Sequence, residues 1–356
     1  MYIYTVNTGD SPGSIEQRFA LEKGSITALN ALSDPLKLTK GLALGIPDAV
    51  HAPAKRRELW LSYTRALPPS KLHGFCSEAS FVIPPALDIK AAVLAEEDTY
   101  LPLAEEKAQS GSARFMLHLA AGDRRGAHEI LRGEDSWNRL CPWLSQQLEK
   151  AQWSGIYLDL PMLPPCEHDR YRAFIRRVSD TVHEAGACLA IRAELGAENF
   201  AEPGELSGFY DRLLLCPESP SGRFGGPLFH DGHLREALEV ALSHIPSGKC
   251  ILLCPASGTD RAENGKSKAL SMAAAADMAC ALGAEIGFDR EAKAPFFEYK
   301  DPLALRHRVW FEDLRSLDSR CVLTEEYALA GICVEHCAHL SPPGLELLCQ
   351  RLDPRQ

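Results

Sequence analysis

Basic residues are in short supply in this chain: 38 Lys and Arg stand against 48 Asp and Glu, a formal net charge of −10. Phosphate backbones demand a basic face, and no polybasic run supplies one locally, so nucleic acid is excluded as a partner and anionic membrane surfaces are disfavoured. Long apolar runs are also missing, and none could span a bilayer. The amino terminus, Met1-Tyr-Ile-Tyr-Thr-Val6, enters structured-looking sequence with no basic region and no apolar core of signal-peptide length. The expectation is therefore synthesis in a cytosol without a signal peptide.

A metal-binding cysteine spacing is the third absence. The 12 cysteines are scattered, and several sit in apolar strand-like runs such as Cys250-Ile-Leu-Leu-Cys254, where a thiol behaves as a small hydrophobe. Ligand-type side chains gather only at Cys333, Glu335, His336, Cys337 and His339, a spacing that matches no zinc pattern and that strand alternation would split between two faces. Neither a metal nor a cofactor is expected. Surface cysteines could cross-link in an oxidising shell.

Apolar residues, by contrast, make up 46 % of the 356 positions, enough to pack one large domain beside a small one. Residues 2–48 read as the small one. An alternating strand (Tyr2 to Val6) leads through Gly9-Asp10-Ser11 into a helix burying Ile15 and Phe19. A second helix buries Ile26 and Leu29, and a strand from Leu42 to Pro47 closes the unit. Asp10 or Ser11 is placed to cap the first helix and Ser25 the second. Residues 49–70, with their prolines and the basic cluster Lys55-Arg56-Arg57, read as a linker.

From residue 71 to 356, strand-length apolar runs alternate with amphipathic helical stretches. Arg114 to Leu119, Gly155 to Leu160, Cys188 to Ile191, Arg212 to Cys216, Cys250 to Cys254 and Gly331 to Val334 are the clearest strands. Asp169 to Ala185 and Leu234 to Ser243 are typical helices. Steady alternation over this length predicts an α/β fold, a TIM (β/α)8 barrel rather than an open sheet.

Two resemblances attach to these segments. The pattern Tyr-Thr-Val, Gly-Asp-Ser, Ile-x3-Phe, Leu-Asn and Leu-x-x-Gly-x-x-Leu-x-Ile-Pro over residues 2–48 resembles a LysM domain. It implies a βααβ module holding N-acetylglucosamine glycans, peptidoglycan or chitin-like, between two loops: Gly9, Asp10, Ser11 and Pro12 on one side, Asn30, Ala31, Leu32 and Ser33 on the other. Turn amides and carbonyls suit acetamido groups and Leu32 offers an apolar contact, although such residues also serve simply as turn formers.

In the larger part, Ile156-Tyr-Leu-Asp159, Leu163-x-Pro165 and Tyr171-x-x-Phe174 resemble the fourth strand and following helix of glycoside hydrolase family 18, in the form that carries LysM and acts on spore cortex. Ala294-Pro-Phe-Phe-Glu-Tyr299 with Val309-Trp-Phe-Glu-Asp313 resembles a small β-hairpin inserted between the seventh and eighth strands of that group.

That family cleaves by substrate assistance, which needs a glutamic acid at the end of the motif DxxDxDxE to protonate the leaving oxygen. Here Ser154, Tyr157, Asp159 and Pro161 occupy the four motif positions. Asp159 is the vestige and Pro161 carries no proton. The sixth strand ends in Cys216-Pro-Glu218 without the family's phenol, Glu335 replaces the pocket-floor tryptophan, and Ser257 and Thr259 replace tyrosines beside Gly258 and Asp260. A positioned acid contributes on the order of 10²- to 10⁴-fold in rate, and lost aromatic platforms weaken the grip on sugar. The alternative is a relocated acid among Glu194, Glu218 and Glu335, with Arg192 nearby; the plainer reading makes them solvated rim charges. The resemblances imply a bacterial spore-envelope or cell-wall protein that binds peptidoglycan, and other envelope proteins, with a barrel that no longer hydrolyses.

Overall fold

A computed structural model of the chain describes residues 1–34, 37–47, 55–64, 67, 69–89, 114–151, 153–161, 163–195, 201–217 and 225–354. The first 47 residues form a βααβ unit: β1 (Tyr2–Thr5), α1 (Pro12–Arg18), α2 (Ser25–Leu29) and β2 (Ala43–Ile46), with β1 antiparallel to β2. Ser11 caps α1 in a reciprocal box with Ser14, and Pro12 takes the first turn, where a missing N–H costs nothing. The second helix differs from expectation. Gly24, in the left-handed region, is its N-cap, and Glu16 reaches over from α1 to accept from the amides of Gly24 (2.9 Å) and Ile26 (3.1 Å). Ser25 lies one residue inside the helix, because a longer carboxylate reaches two orphan donors that a serine could not.

The barrel begins earlier than the composition suggested. Strand β3 (Glu58–Ser62), inside the stretch expected to be linker, is the first stave, so residues from Glu58 onward belong to the barrel; residues 48–54 lie outside the described part. Next come β4 (Phe81–Ile83), continued beyond Pro84-Pro85 by β5 (Leu87–Asp88), then β6 (Met116–Ala120), β7 (Gly155–Asp159), β8 (Cys188–Leu195), β9 (Arg212–Pro217) and β10 (Cys250–Pro255).

After β10 the chain leaves the barrel for an antiparallel sheet: β11 (Ser257–Ala262), β12 (Ser267–Ser271), β13 (Gly287–Asp289), β14 (Ala294–Lys300) and β15 (Arg306–Phe311). Helix Leu314–Glu326 then leads to the eighth stave, β16 (Gly331–Glu335). The β14–β15 hairpin read from the sequence is present, as the middle of a five-stranded sheet with a helix, Met272–Leu282, against it.

All barrel pairings are parallel, and the ring closes. β16 pairs with β10 and with β3, β3 with β4, and Val82 bridges Phe115 while its N–H donates to the Arg114 carbonyl at 2.8 Å. Parallel staves joined through helices make closure the natural outcome of such a pattern. Inside, alternate residues stack in layers. Arg212 and Glu58 form an ion pair at the amino-terminal end, and Trp60 lies on Phe81 at 4.4 Å. Tyr157, Ala190, Leu214, Ile251 and Cys333 fill the middle. A packed interior leaves chemistry only to the carboxyl-terminal rim.

The small unit does not stand apart. Tyr4, Val6, Ile15, Ile26, Leu44 and Ile46 share one apolar cluster with Leu270, Ala275, Ile286, Phe297, Val309 and Phe311 of the inserted sheet and its helix. Polar contacts border it. The Ile286 amide donates to Lys40 O (2.9 Å), Thr39 Oγ1 to Ala284 O (2.7 Å), and Ser33 Oγ to Asp277 Oδ2 (2.7 Å), while Lys40 pairs with Glu285 at 2.6 Å.

Candidate functional site

Strand period two sends Tyr157 and Asp159 of β7, Arg192 and Glu194 of β8, Cys216 of β9 and Glu335 of β16 toward the barrel axis. The register supports this, setting Glu194 opposite Cys216 and Pro255 opposite Glu335. His118 of β6 joins them: it lies opposite Tyr157, with ring centroids 4.7 Å apart. The sequence reading passed over this histidine, although its place two residues after inward-facing Met116 marks it as facing the same way.

Asp159 is clamped. Arg192 Nη1 lies 3.2 Å from both carboxylate oxygens, and its Nη2 donates to Cys216 Sγ at 3.0 Å. His118 donates from Nδ1 to the Pro84 carbonyl (3.0 Å), which leaves Nε2 facing Asp159 Oδ2 at 3.8 Å. Burial alone would push the Asp159 carboxyl up, but His118 and the Arg192 guanidinium outweigh it and hold the group below the usual carboxylate range. For Arg192, burial opposes its charge and Asp159 more than compensates. Burial raises the Cys216 thiol and pushes the Tyr157 phenol well above its ordinary value, with Asp159 adding to the latter.

An aspartate held ionised in this way cannot act as a proton donor near neutrality. Pro161, half-buried two residues beyond Asp159, offers no proton either. The Glu194 and Glu335 side chains are partly buried at the same mouth and make no hydrogen bond or close ion pair among the described residues, although Glu335 adds to the negative field that keeps Arg192 charged. Glu218 lies outside the described part. Of the other ligand-type side chains near β16, Cys333 and Cys337 are buried and His336 is exposed. Among the described residues no three His, Cys, Asp or Glu side chains converge as a metal site would require.

The loops read as a glycan groove are occupied mostly by structural tasks. Asp10 accepts from Tyr4 Oη (2.6 Å), the Asn7 amide (2.8 Å) and Arg18 Nη2 (3.0 Å). The Tyr4 and Asn7 bonds, with Arg18, hold its carboxyl below the ordinary range. Gly9 turns with φ +87°, Ser11 and Pro12 start α1, and Asn30 locks α2 to β2 through Ile26 O, Gly45 O and the Gly45 amide. Gly9, Ser11, Ala31 and Ser33 remain exposed, and Leu32 packs beside the shared core at a cleft that also includes Met272, Ala276, Phe311 and Pro343. Of the aromatics on the inserted hairpin, Phe297 is core, and Trp310 is 8 % exposed with Phe296 packed on it at 4.8 Å.

The closed barrel with its antiparallel insertion shares its fold with solved chitinases and spore cortex-lytic enzymes. No family model matches the chain. The crystal structure of the Bacillus megaterium spore cortex-lytic enzyme SleL superposes with a TM-score of 0.74 at 22 % identity, over 98 % of this chain and 86 % of that one. A human pseudo-chitinase with retained chitooligosaccharide binding superposes at 0.67 and 13 % identity, over 83 % of this chain and all (100 %) of that one. In sequence, the cortical fragment-lytic enzyme of Bacillus subtilis is 29 % identical over 224 residues, 57 % of this chain and 51 % of that protein. The chain thus spans about half the length of the curated relatives it matches.

Proposed function

We propose that this protein binds peptidoglycan or a related N-acetylglucosamine glycan in a spore or cell envelope and does not cleave it. The observation that carries this reading is the pairing of Pro161, at the position of the required acid, with an Asp159 that His118 and Arg192 keep ionised. Glycan affinity is assigned to the amino-terminal unit, read as LysM-like, through the exposed Gly9, Ser11, Ala31 and Ser33 with Leu32 beside them. The barrel serves as its rigid support. Likeness to a cortical fragment-lytic enzyme and to a pseudo-chitinase with retained oligosaccharide binding favours a glycan ligand.

A second reading, hydrolysis by a relocated acid, draws on Glu194 and Glu335, carboxylates at the mouth whose side chains make no hydrogen bond among the described residues. Incubation with cortex muropeptides separates the two. Retention on insoluble peptidoglycan without release of reducing ends supports the binder; release that disappears in Glu335→Gln or Glu194→Gln supports the hydrolase.

A further inference from the structure

Away from the barrel mouth, a buried acid stands at the joint between the amino-terminal unit and the inserted sheet. Glu312, the residue after β15, is 2 % exposed and borders a cleft whose other walls include Leu32, Leu42 and Leu44 of the amino-terminal unit, Met272 and Pro343. Its Oε1 has no hydrogen-bond partner among the described residues. We propose that this joint is a proton-controlled contact, closed while Glu312 is neutral and loosened when the carboxyl ionises and draws water in through the cleft.

Among the described residues, no neighbouring cation is in place to hydrogen-bond an ionised Glu312. On helix Leu314–Glu326, the fully buried Arg320 donates to Asp231 Oδ1 at 3.2 Å and lies over the Phe229 ring, which leaves its Nη2 3.9 Å from Glu312, beyond hydrogen-bond reach. Asp231, on helix Asp231–Leu242, also takes Arg235 at 2.8 Å. Asp313 is held by Arg315, which reaches across the joint to the Gly41 carbonyl at 3.0 Å. On helix Met272–Leu282, Asp277 accepts from the Ser33 hydroxyl, and burial raises the Cys280 thiol, as it does that of Cys254 on β10. The residues of the amino-terminal unit that line the cleft are all uncharged.

A carboxylate in such surroundings is costly unless donors or water meet it, whereas the neutral acid is tolerated. Burial accordingly outweighs Arg320 and the Ser316 hydroxyl and lifts the carboxyl to about 7 from an ordinary 4.5, with Asp313 adding to the rise. When the joint opens, water reaches the carboxyl and the ordinary value returns, so the closed form holds the proton more tightly. Closure is therefore supported in full below about 4.5 and loses that support as pH climbs through about 7. The contacts at risk are those that cross the joint: the Ile286 amide on Lys40 O, and Leu42 and Leu44 against Phe311 and its neighbours. Opening one such contact region takes less free energy than unfolding the whole chain.

Hydrogen exchange of the full chain, read by mass spectrometry and corrected for the intrinsic rate at each pH, tests this. Protection of residues 39–47 and 284–288 is expected to fall by about tenfold between about pH 6 and about pH 8, levelling off above about 7. Both segments should stay less protected than strand Gly155–Asp159 of the barrel. In E312Q, which keeps the shape of the carboxyl and cannot ionise, the fall disappears. D277N, which removes the exposed carboxylate at the cleft, keeps it. A fall of the same size in folded E312Q overturns the proposal, and so does its loss in D277N. Protection at the joint equal to that of Gly155–Asp159 at every pH would mean that only whole-chain unfolding exposes Glu312, which also overturns it. Should E312Q not fold, the wild-type profile decides alone: protection that does not change with pH, or that keeps falling without levelling off, rules Glu312 out.

Discussion

Glu312, the residue after β15, has a carboxyl 2 % exposed, and its nearest cation is Arg320, itself fully buried at 0 %. The guanidinium is shared: its Nη1 lies 3.2 Å from Asp231, while Nη2 is 3.9 Å from Glu312. Burial therefore wins over Arg320 and the Ser316 hydroxyl, and the Glu312 carboxyl is pushed up to about 7 from an ordinary 4.5. A raised folded value means that the folded state holds the proton more tightly than the unfolded one. Its contribution to stability is complete below about 4.5 and is lost as pH climbs through about 7. Denaturant midpoints at pH 5 and pH 8 check this. The stability gap between Glu312→Gln and wild type should shift toward the variant at pH 8, by on the order of 3 kcal/mol at most. Other residue-scale features were legible only in part. The sequence alone places Pro161 at the acid position, but the Arg192 clamp and the approach of His118 depend on how three strands align, which periodicity within one strand cannot fix.

Elements of secondary structure were legible where a segment dictates its own form. Most barrel staves fall within a residue or two of their apolar runs, since a buried parallel strand is an apolar run and little else. Strand β3 was hidden because Arg56-Arg57-Glu58 precedes a core of only Leu59-Trp60-Leu61, and the extent of the inserted sheet because its strands β11 and β12 are polar and held mainly by their neighbours. The turn before β2 shows how such neighbours constrain an element. Gly41 has φ +87°, and a Cβ there would lie 1.8 Å from the Ile286 carbonyl oxygen of the inserted segment. Both features require glycine. Gly41→Ala should destabilise the joint by about 1–3 kcal/mol. Limited proteolysis should show faster cleavage near residues 39–42, and unchanged protection would contradict the role given to this contact.

For the molecule as a whole, a tethered glycan-binding unit and a barrel were the expected parts, and the shared apolar core joins them more closely than a tether does. This was illegible from sequence because each side of the joint reads as an ordinary amphipathic surface until the other covers it. Removing residues 1–47 should expose Leu270, Ile286, Phe297 and Phe311. At roughly 1.5–3 kcal/mol for each large side chain buried, the thermal midpoint of the remainder should drop by roughly 10 °C or more. Retention of the full midpoint would show the two parts to be independent.

In the binding reading, neither Asp159 nor Pro161 has a proton to give a glycosidic oxygen at this mouth. The most direct measurement is release of reducing ends from purified cortex muropeptides by the full chain over prolonged incubation, with Glu194→Gln and Glu335→Gln in parallel. No release above buffer is expected for wild type, together with retention on insoluble peptidoglycan. Steady release by wild type that either variant abolishes would contradict it.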